Sequence, residues 1–278
     1  MKFVILTDTH LVAPGRLLYG LDPAERLRAA VRTINRDHTD IDFVIVTGDL
    51  AHWGEVAAYA ALKEIFDELA APTILLMGNH DRRRALRQIF PDADDDGSGY
   101  VQAVRHFDAA SVLTLDTVDE ESHTHAGFLC ADRLAFLDRA LAEAPADRPV
   151  LLFQHHPPFD TGLPHLDRIR LRNPENLWAV FEKRRRPDYI FMGHVHRPIA
   201  GSWRGIPFHI QRATSHQVAF DLASTEIPGS LELPDYSFVR VEPQSIVIHQ
   251  RPFLYDGPAF WLHDKAAQDA ANVSALAH

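Results

Sequence analysis

Histidine, aspartate and asparagine side chains follow short apolar runs at five places in this 278-residue chain. The five clusters are Asp8-Thr9-His10, Gly48-Asp49, Gly78-Asn79-His80-Asp81, His155-His156-Pro157-Pro158 and Gly193-His194-Val195-His196. Each follows or ends a predicted strand, and in open α/β sheets ligands bind beyond the carboxyl ends of the strands. We therefore expect the five clusters to converge on one edge, although they lie far apart in the sequence.

Seven of these side chains could bind metal ions through oxygen or nitrogen. They comprise two carboxylates, four imidazoles and one amide oxygen, on Asp8, His10, Asp49, Asn79, His155, His194 and His196. A mixed set without sulfur suits Mn²⁺, Fe²⁺ or Zn²⁺, and Co²⁺ is also compatible. Because seven donors exceed what one tetrahedral zinc ion uses, the set predicts two divalent ions that share a carboxylate, with Asp49 as the candidate bridge.

Each cluster taken alone has an ordinary structural interpretation. A single Asp-x-His or His-x-His arises by chance, proline can end a strand after His155-His156, and Asn79 can adopt the positive φ of a loop. The order and shared placement of all five favour a metal site. We expect extended backbone in the Asp-x-His and His-x-His pairs, and glycines 48, 78 and 193 to permit close backbone approach.

Alternating strand and helix signals predict the layers that would position these clusters. The strand-like runs are Phe3–Thr7, Phe43–Thr47, Thr73–Met77, Val112–Leu115, Val150–Phe153 and Tyr189–Met192. Helices are expected from a capping box at Asp22 and Glu25, over about 55–69, from an Asp132 cap to about 141, and after Pro174 to about 183–186. Such alternation is typical of α/β proteins.

The texture of the sequence changes after His196, where short strand-like runs follow one another without a strong helix signal. The runs are Pro207–Gln211, Tyr236–Val241 and Ser245–Gln250. We expect an α/β core over 1–197 and about 251–264, a β-rich cap or dimerisation segment over about 198–250, and a tail over 265–278.

Composition excludes several classes of protein. Apolar residues make up 46% and charged residues 24%, which is typical of globular proteins. With Cys130 as the only cysteine, an intrachain disulfide and a thiolate metal cluster are impossible. A net charge of −10 argues against extended nucleic acid as a partner. The first apolar run, Phe3–Leu6, is too short for a signal peptide, and no run is long enough for a membrane span. The expected location is cytoplasmic.

The ordered set Asp-x-His, Gly-Asp, Gly-Asn-His-Asp, His and Gly-His-x-His resembles the calcineurin-like metallophosphoesterase superfamily. The resemblance covers about residues 1–200 and implies a four-layer αββα sandwich with a dinuclear metal centre between two sheets. By position, it implies that Asp8, His10, Asp49 and His196 hold one metal and that Asp49, Asn79, His155 and His194 hold the other. His80 would then reach the substrate phosphate rather than a metal.

Shorter matches resemble bacterial class III cyclic nucleotide phosphodiesterases and the related glycerophosphodiesterases. They are Leu18–Gly20, Gly48–Tyr59, His216–Val218 and Phe253–Pro258. This resemblance implies a homodimer or higher homo-oligomer. Protein Ser/Thr phosphatases carry an arginine shortly after their Gly-Asp motif, whereas this chain has Leu50-Ala51-His52-Trp53-Gly54. That departure favours phosphodiesters, which carry one charge less than monoesters.

The function expected from these residues is hydrolysis of a small phosphodiester, either a cyclic nucleotide or a glycerophosphodiester, by attack of a metal-bound hydroxide. Asp49 and His80 are the candidate catalytic residues, with His80 either a general acid or a phosphate contact. Asn79, His80 and His216 are candidate substrate-binding residues. The alternatives are a broad phosphomonoesterase of the same fold and a non-catalytic scaffold. Arg82–Arg84 could line the route of the substrate or lie on a helix surface.

Overall fold

The computed structural model describes residues 1–122, 124–255, 257 and 262, and thirteen strands lie within this part of the chain. They are β1 (Lys2–Leu6), β2 (Phe43–Val46), β3 (Thr73–Leu75), β4 (Ala103–His106), β5 (Ser111–Leu115), β6 (Val150–Gln154), β7 (Tyr189–Met192), β8 (Ile199–Trp203), β9 (Ile206–Ile210), β10 (Gln217–Val218), β11 (Gly229–Ser230), β12 (Asp235–Glu242) and β13 (Ser245–Pro252).

Two principal sheets contain most of these strands. The first has the order β13-β12-β1-β2-β3 and the second β4-β5-β6-β7-β9-β8, while β10 and β11 form a separate ribbon. Strands β1 to β3 run parallel, as do β5, β6, β7 and β9, and the remaining strands of the two sheets pair antiparallel. The six strands predicted before position 193 are all present, because their continuous β-branched and aromatic runs suit strands buried on both faces.

The described helices are α1 (Pro23–Asp37), α2 (Val56–Phe66), α3 (Arg83–Ile89), α4 (Ala131–Glu143), α5 (Pro164–Asp167) and α6 (Pro174–Lys183). Asp22 caps α1 as predicted, accepting from the backbone N–H of Ala24 at 2.9 Å. The prediction that Asp132 caps a helix was wrong: Cys130 holds the N-cap position of α4 without a side-chain cap, and Asp132 lies in the first turn. There its charge still complements the helix dipole.

Three apolar clusters separate four layers. One packs α1, α2 and α3 against the outer face of the first sheet, and another packs α4, α5 and α6 against the outer face of the second. The third lies between the sheets, where the ring of Phe3 in β1 meets those of Phe153 in β6 and Phe191 in β7 at centroid distances of 5.8 and 6.0 Å. The predicted αββα sandwich is confirmed.

Most of the β-rich segment 198–250 contributes strands to these two sheets, since β8 and β9 extend the second and β12 and β13 extend the first. Within that segment residues 211–234 lie outside both sheets, and they remain the candidate cap. The predicted tail over 265–278 lies outside the described residues. So do parts of the Phe253–Pro258 match and of the predicted core over 251–264. Among the described helices none is long and apolar enough to cross a membrane.

Candidate metal centre

Most of the metal-donor residues predicted at the strand ends have left-handed and not extended backbone. Strand β1 ends at Leu6, and the N–H groups of Asp8 and His10 then donate to the carbonyls of Gly48 and Asp49 at 3.0 and 2.9 Å. Five donors have left-handed φ values between 45° and 71°: Asp8, His10, Asp49, His194 and His196. The prediction of extended Asp-x-His and His-x-His pairs was therefore wrong. Such conformations cost free energy outside glycine and cluster at functional sites.

Two glycines allow these turns to approach one another closely. A Cβ on Gly48 would lie 2.6 Å from Nδ1 of His155, and one on Gly78 would overlap the carboxylate and backbone nitrogen of Asp49. Either side chain would push apart the loops after β2, β3 and β6. The close approach expected at these glycines is confirmed.

Four of the predicted donors form one group. The ligand atoms of Asp8, His10, Asp49 and His196 all lie within 4.8 Å of one another. Nε2 of His196 is 3.2 Å from Asp8 Oδ1, and Nε2 of His10 is 3.6 Å from Asp49 Oδ2. The two imidazole Nε2 atoms are 3.0 Å apart. This spacing suits several donors that share one cation.

The other donors form a second group that also meets Asp49. Its Oδ2 lies 3.4 Å from Nε2 of His155, and that nitrogen is 3.2 Å from the amide Oδ1 of Asn79. The same Oδ1 is 2.9 Å from Nδ1 of His194. Asp49 Oδ2 therefore lies close to a donor of each group, which is the arrangement expected of a bridging carboxylate.

The outward nitrogen of three imidazoles is held by protein groups, which directs Nε2 inward. Nδ1 of His155 lies 2.8 Å from the carbonyl of Thr47, and Nδ1 of His196 lies 2.8 Å from the carbonyl of His216. A carbonyl only accepts, so both Nδ1 atoms carry the proton. Nδ1 of His10 is 3.0 Å from Nδ1 of His52. Metal-binding histidines are commonly oriented in this way.

The charge pattern also fits a cation. His194 Nε2 is buried without a hydrogen-bond partner, and the buried Oδ1 of Asp8 has the imidazole of His196 beside it at 3.2 Å. Burial alone would raise the pKa of Asp49, yet His155 and His80 hold that pKa well below its usual value. Burial lowers the pKa of His155, but Asp49 outweighs it and raises the pKa to about 9. Without metal, the buried carboxylate therefore favours a protonated imidazole, and Asp8 likewise raises the pKa of His196 against the effect of burial.

His80 lies beside the donors without joining them. Its backbone N–H donates to Asp49 Oδ1 at 2.8 Å, and its Nδ1–H donates to the carbonyl of His52 at 2.7 Å. Its ring packs between those of His52 and His125, at centroid distances of 4.9 and 5.0 Å. Nε2 of His80 is left for a ligand in the neighbouring cavity, to which the side chain contributes.

Other sequence-predicted residues have less direct places. His216 lines the cavity 4.6 Å from the ring of His196, and burial together with neighbouring imidazoles lowers its pKa to about 2.

Both ring nitrogens of His156 are bonded, to Thr117 Oγ1 at 2.7 Å and to the carbonyl of His125 at 3.0 Å. Both nitrogens of His156 are thus engaged within the protein, which indicates a structural role. Arg83 pairs with Asp116 at 2.8 Å and does not line the cavity.

Sequence reasoning missed two groups that support the donors. Asp81 accepts from the backbone N–H groups of Leu50, Ala51 and Gly78 at 3.0, 3.0 and 2.9 Å, and the hydroxyl of Tyr59 donates to it at 2.9 Å. The Gly-Asn-His-Asp motif contained Asp81 but suggested no role for it. His125, whose Nδ1 lies 2.8 Å from Nδ2 of Asn79, belongs to no motif.

A cavity of about 580 Å³ opens over the donors, within the usual range for small-molecule sites. His10, Asp49, Asn79, His80, His194 and His196 line it, together with His52, His125 and His216. Among its described lining residues there is no arginine and no lysine.

Comparison with known proteins identifies relatives over nearly the whole chain. The sequence profile of the calcineurin-like phosphoesterase family matches residues 1–198. A probable cyclic nucleotide phosphodiesterase of Rhodopseudomonas palustris is 65% identical over 96% of this chain and 98% of its own length. A probable glycerophosphodiester phosphodiesterase of Arcobacter nitrofigilis is 31% identical over 95% of this chain and 98% of its own.

The fold has counterparts among solved structures. A dimetal phosphatase from Danio rerio superimposes with a TM-score of 0.66 at 17% identity, covering 91% of this chain and 96% of that one. At this identity the likeness concerns the fold alone.

Proposed function

The chain belongs to the calcineurin-like phosphoesterase family, and we propose that it hydrolyses 3′,5′-cyclic nucleotides at a dinuclear metal centre. The observation that carries the proposal is the position of Asp49, whose Oδ2 lies 3.6 Å from Nε2 of His10 and 3.4 Å from Nε2 of His155. One carboxylate between two sets of donors is what two neighbouring divalent ions require. The relative at 65% identity is named for cyclic nucleotides.

The proposed ligands are those that the resemblance implied. Asp8, His10, Asp49 and His196 would hold one ion, and Asp49, Asn79, His155 and His194 the other. The buried Oδ1 of Asp8 supports this fit, because imidazole nitrogens of His196 and His10 lie 3.2 and 3.9 Å from it, and a buried carboxylate oxygen is costly unless it is paired or coordinated. Divalent ions held there supply the positive charge that a phosphodiester and its transition state need. Mn, Fe, Zn and Co all remain candidates.

The chain's own residues would position the substrate and manage its protons. The Nδ1–H of His80 donates to the carbonyl of His52, so Nε2 faces the cavity. There it would act as a phosphate contact or as the acid that protonates the leaving oxygen. Asn79 reaches the cavity between two imidazoles and His216 lines its wall. We assign all three to substrate binding, with Asp49 and His80 as the catalytic residues.

The lining of the cavity favours a diester over a monoester. A phosphomonoester dianion is commonly held by an arginine or lysine beside the metals, and the described lining has neither. A diester, with one negative charge, needs less compensation. The scaffold alternative loses support because every donor position is filled. Glycerophosphodiesters remain a second candidate substrate, since one relative is named for them.

A substrate panel tests the proposal. Protein reconstituted separately with Mn²⁺, Fe²⁺, Zn²⁺ or Co²⁺ is offered a cyclic nucleotide, a glycerophosphodiester, bis(p-nitrophenyl) phosphate and p-nitrophenyl phosphate. We expect the highest kcat/KM with the cyclic nucleotide and little turnover of the monoester. Preference for p-nitrophenyl phosphate would replace the proposal by the monoesterase alternative, and inactivity with every metal would favour the scaffold. Light scattering of the same samples tests the expected homo-oligomer.

A further inference from the structure

The residues lining the cavity over the metal donors form two chemically different sets. One carries the imidazoles and the Asp49 carboxylate, and the other is aliphatic. The aliphatic wall consists of Leu166, Ile169, Val218, Ile227 and Leu231. A ligand that fills the whole cavity therefore needs a charged end and a separate apolar part.

Hydrogen bonds assemble the aliphatic wall from two segments of the chain. Strands β10 and β11 pair antiparallel, and the N–H of Ala219 donates to the carbonyl of Pro228 at 2.7 Å, which closes a hairpin carrying Val218 and Ile227. The loop of this hairpin is joined to α5, because Nδ1 of His165 lies 3.1 Å from the carbonyl of Ser224. Helix α5 carries Leu166.

The wall is also held in a set position relative to the metal donors. The hairpin begins directly after His216, whose carbonyl accepts from Nδ1–H of His196 at 2.8 Å. Arg168, which follows α5, donates to the carbonyl of Thr225, the next residue of the same loop. These hydrogen bonds therefore fix the distance between the aliphatic wall and the expected position of the phosphate.

Large apolar side chains remain exposed where the wall meets the cavity mouth. Ile227 is 54% exposed and Leu231 is 60% exposed, whereas Leu166 deeper in the wall is 4% exposed. Tyr19 is 64% exposed and lines the same cavity, with its ring 4.7 Å from that of His216. A flat apolar group placed here would remove these surfaces from water, which is favourable in proportion to the area buried.

We propose that the aliphatic wall binds the base of a cyclic nucleotide and thereby selects nucleoside esters over glycerol esters. This inference rests on the proposed function and names the part of the substrate that sets its specificity. A cyclic nucleotide joins a phosphate to a large flat ring, which matches the two sides of the cavity. Short glycerol esters with polar headgroups have no group for the wall.

The wall has few polar groups for the hydrogen-bonding edge of the base. Gln217 and Ser230 are the polar side chains beside it, and Gln217 donates its amide to the carbonyl of Ala213 at 2.7 Å. Ser230 faces Glu232 at 3.3 Å. Gln217 Oε1, by contrast, is buried without a hydrogen-bond partner, so the wall would also offer the base one hydrogen-bond acceptor.

The experiment compares two substrates on the reconstituted protein: 3′,5′-cyclic AMP and a ribose 3′,5′-cyclic phosphate with a methyl group in place of the base. The variant is Ile227→Ser with Leu231→Ser, and both side chains are more than half exposed, so folding should be preserved. We expect kcat/KM for cyclic AMP to fall at least about tenfold, with the base-free ester unchanged. Leu233→Ser is the matched control, 51% exposed and outside the cavity lining.

Three results would overturn the inference. The first is equal turnover of the two substrates by the unaltered protein, and the second is a double variant that keeps full activity on cyclic AMP. The third is an equal loss on both substrates together with a smaller particle mass by light scattering, which would make the wall an interface between copies of this chain. Failure of the unaltered protein to hydrolyse either ester would instead refute the proposed function, and the inference with it.

Discussion

Nδ2 of Asn79 lies 2.8 Å from Nδ1 of His125, so the amide nitrogen points away from the metal donors and the amide oxygen points toward them. The oxygen then lies 3.2 Å from Nε2 of His155 and 2.9 Å from Nδ1 of His194. His125 thereby determines which atom of Asn79 can meet a cation, because an amide rotated by half a turn would offer only N–H donors.

Replacing His125 should weaken metal binding without removing any ligand. We expect His125→Ala to lower metal affinity about 10- to 100-fold, as is typical when a group that orients a ligand is lost. Metal titration by calorimetry checks this, with activity at saturating metal as a second readout. His249→Ala, on the exposed strand β13, is the control. Unchanged affinity in His125→Ala would show that Asn79 is oriented by other contacts.

Loss of Asp49 should affect both proposed ions, because its Oδ2 lies near a donor of each. We expect Asp49→Ala to lose at least one metal per chain and to hydrolyse no diester above background. Elemental analysis after gel filtration measures the metal. Asp49→Asn keeps an oxygen for the N–H of His80 and removes the charge, which separates these two roles. Full turnover with unchanged metal content would disprove the bridging assignment.

His80 should matter for rate more than for metal binding. Its backbone N–H makes the bond to Asp49, and that contact survives truncation of the side chain. We therefore expect His80→Ala to retain its metals while kcat falls about 10²- to 10⁴-fold, the usual range for an acid–base group. Elemental analysis and steady-state kinetics on one preparation test both halves. Turnover equal to that of the unaltered protein would dismiss His80 from catalysis.

The metal-free protein should become less stable as the pH rises above neutrality. Burial lowers the pKa of His155, but Asp49 outweighs burial and raises it to about 9, above the usual 6.5. A raised folded-state pKa gives stability that is present below pH 6.5 and is lost toward pH 9, and this shift corresponds to about 3 kcal/mol.

Urea unfolding in the presence of a chelator, at several pH values between 6.5 and 9, measures that loss. His155→Gln should flatten the dependence because it removes the titrating group. Metal-loaded protein should behave in the opposite sense, since a metal-binding imidazole must be neutral and metal affinity rises as protons leave. A chelated protein whose stability is constant or rises across this range would contradict the prediction.

Tyr59 should stabilise the turn that carries Asn79 and His80. Its hydroxyl donates to Asp81 at 2.9 Å and accepts from the N–H of Arg82 at 2.9 Å. Tyr59→Phe leaves the buried carboxylate of Asp81 and the N–H of Arg82 each short of a bond, so we expect a loss of about 1–3 kcal/mol in the free energy of unfolding. Tyr189→Phe, on strand β7, is a control of the same kind. Equal stability of the two variants would mean that Asp81 finds another donor.

The strand ends were predictable because the physics that places them is regular. Continuous β-branched runs identified strands such as β2 and β6, and parallel strands carry their following residues to the same edge. Asp49 and His155 could therefore be expected to meet although most of a domain separates them in sequence. The turn conformations were not predictable, because periodicity ends with the strand. The left-handed φ of Asp8 and His10 depends on hydrogen bonds to a neighbouring loop.

The supporting residues escaped prediction for a different reason. The role of His125 depends on a ring nitrogen that meets Asn79 from a loop without motif or periodicity. Asp132 was expected at the N-cap but is the second residue of α4, because the helix begins two residues earlier than the sequence pattern indicated. Side-chain contacts between distant loops follow from tertiary packing, which the pattern of residue types does not encode.

The aromatic layer between the sheets has a consequence for catalysis at a distance. Asp8 and Asp49 follow strands of one sheet, and His155 and His194 follow strands of the other. The rings of Phe3 and Phe153 lie between the two sheets, with their centroids 5.8 Å apart. Packing between these rings therefore sets the distance between the two halves of the proposed metal centre. Replacing Phe3 or Phe153 by a smaller residue would therefore alter the catalytic site, although neither phenylalanine contacts it.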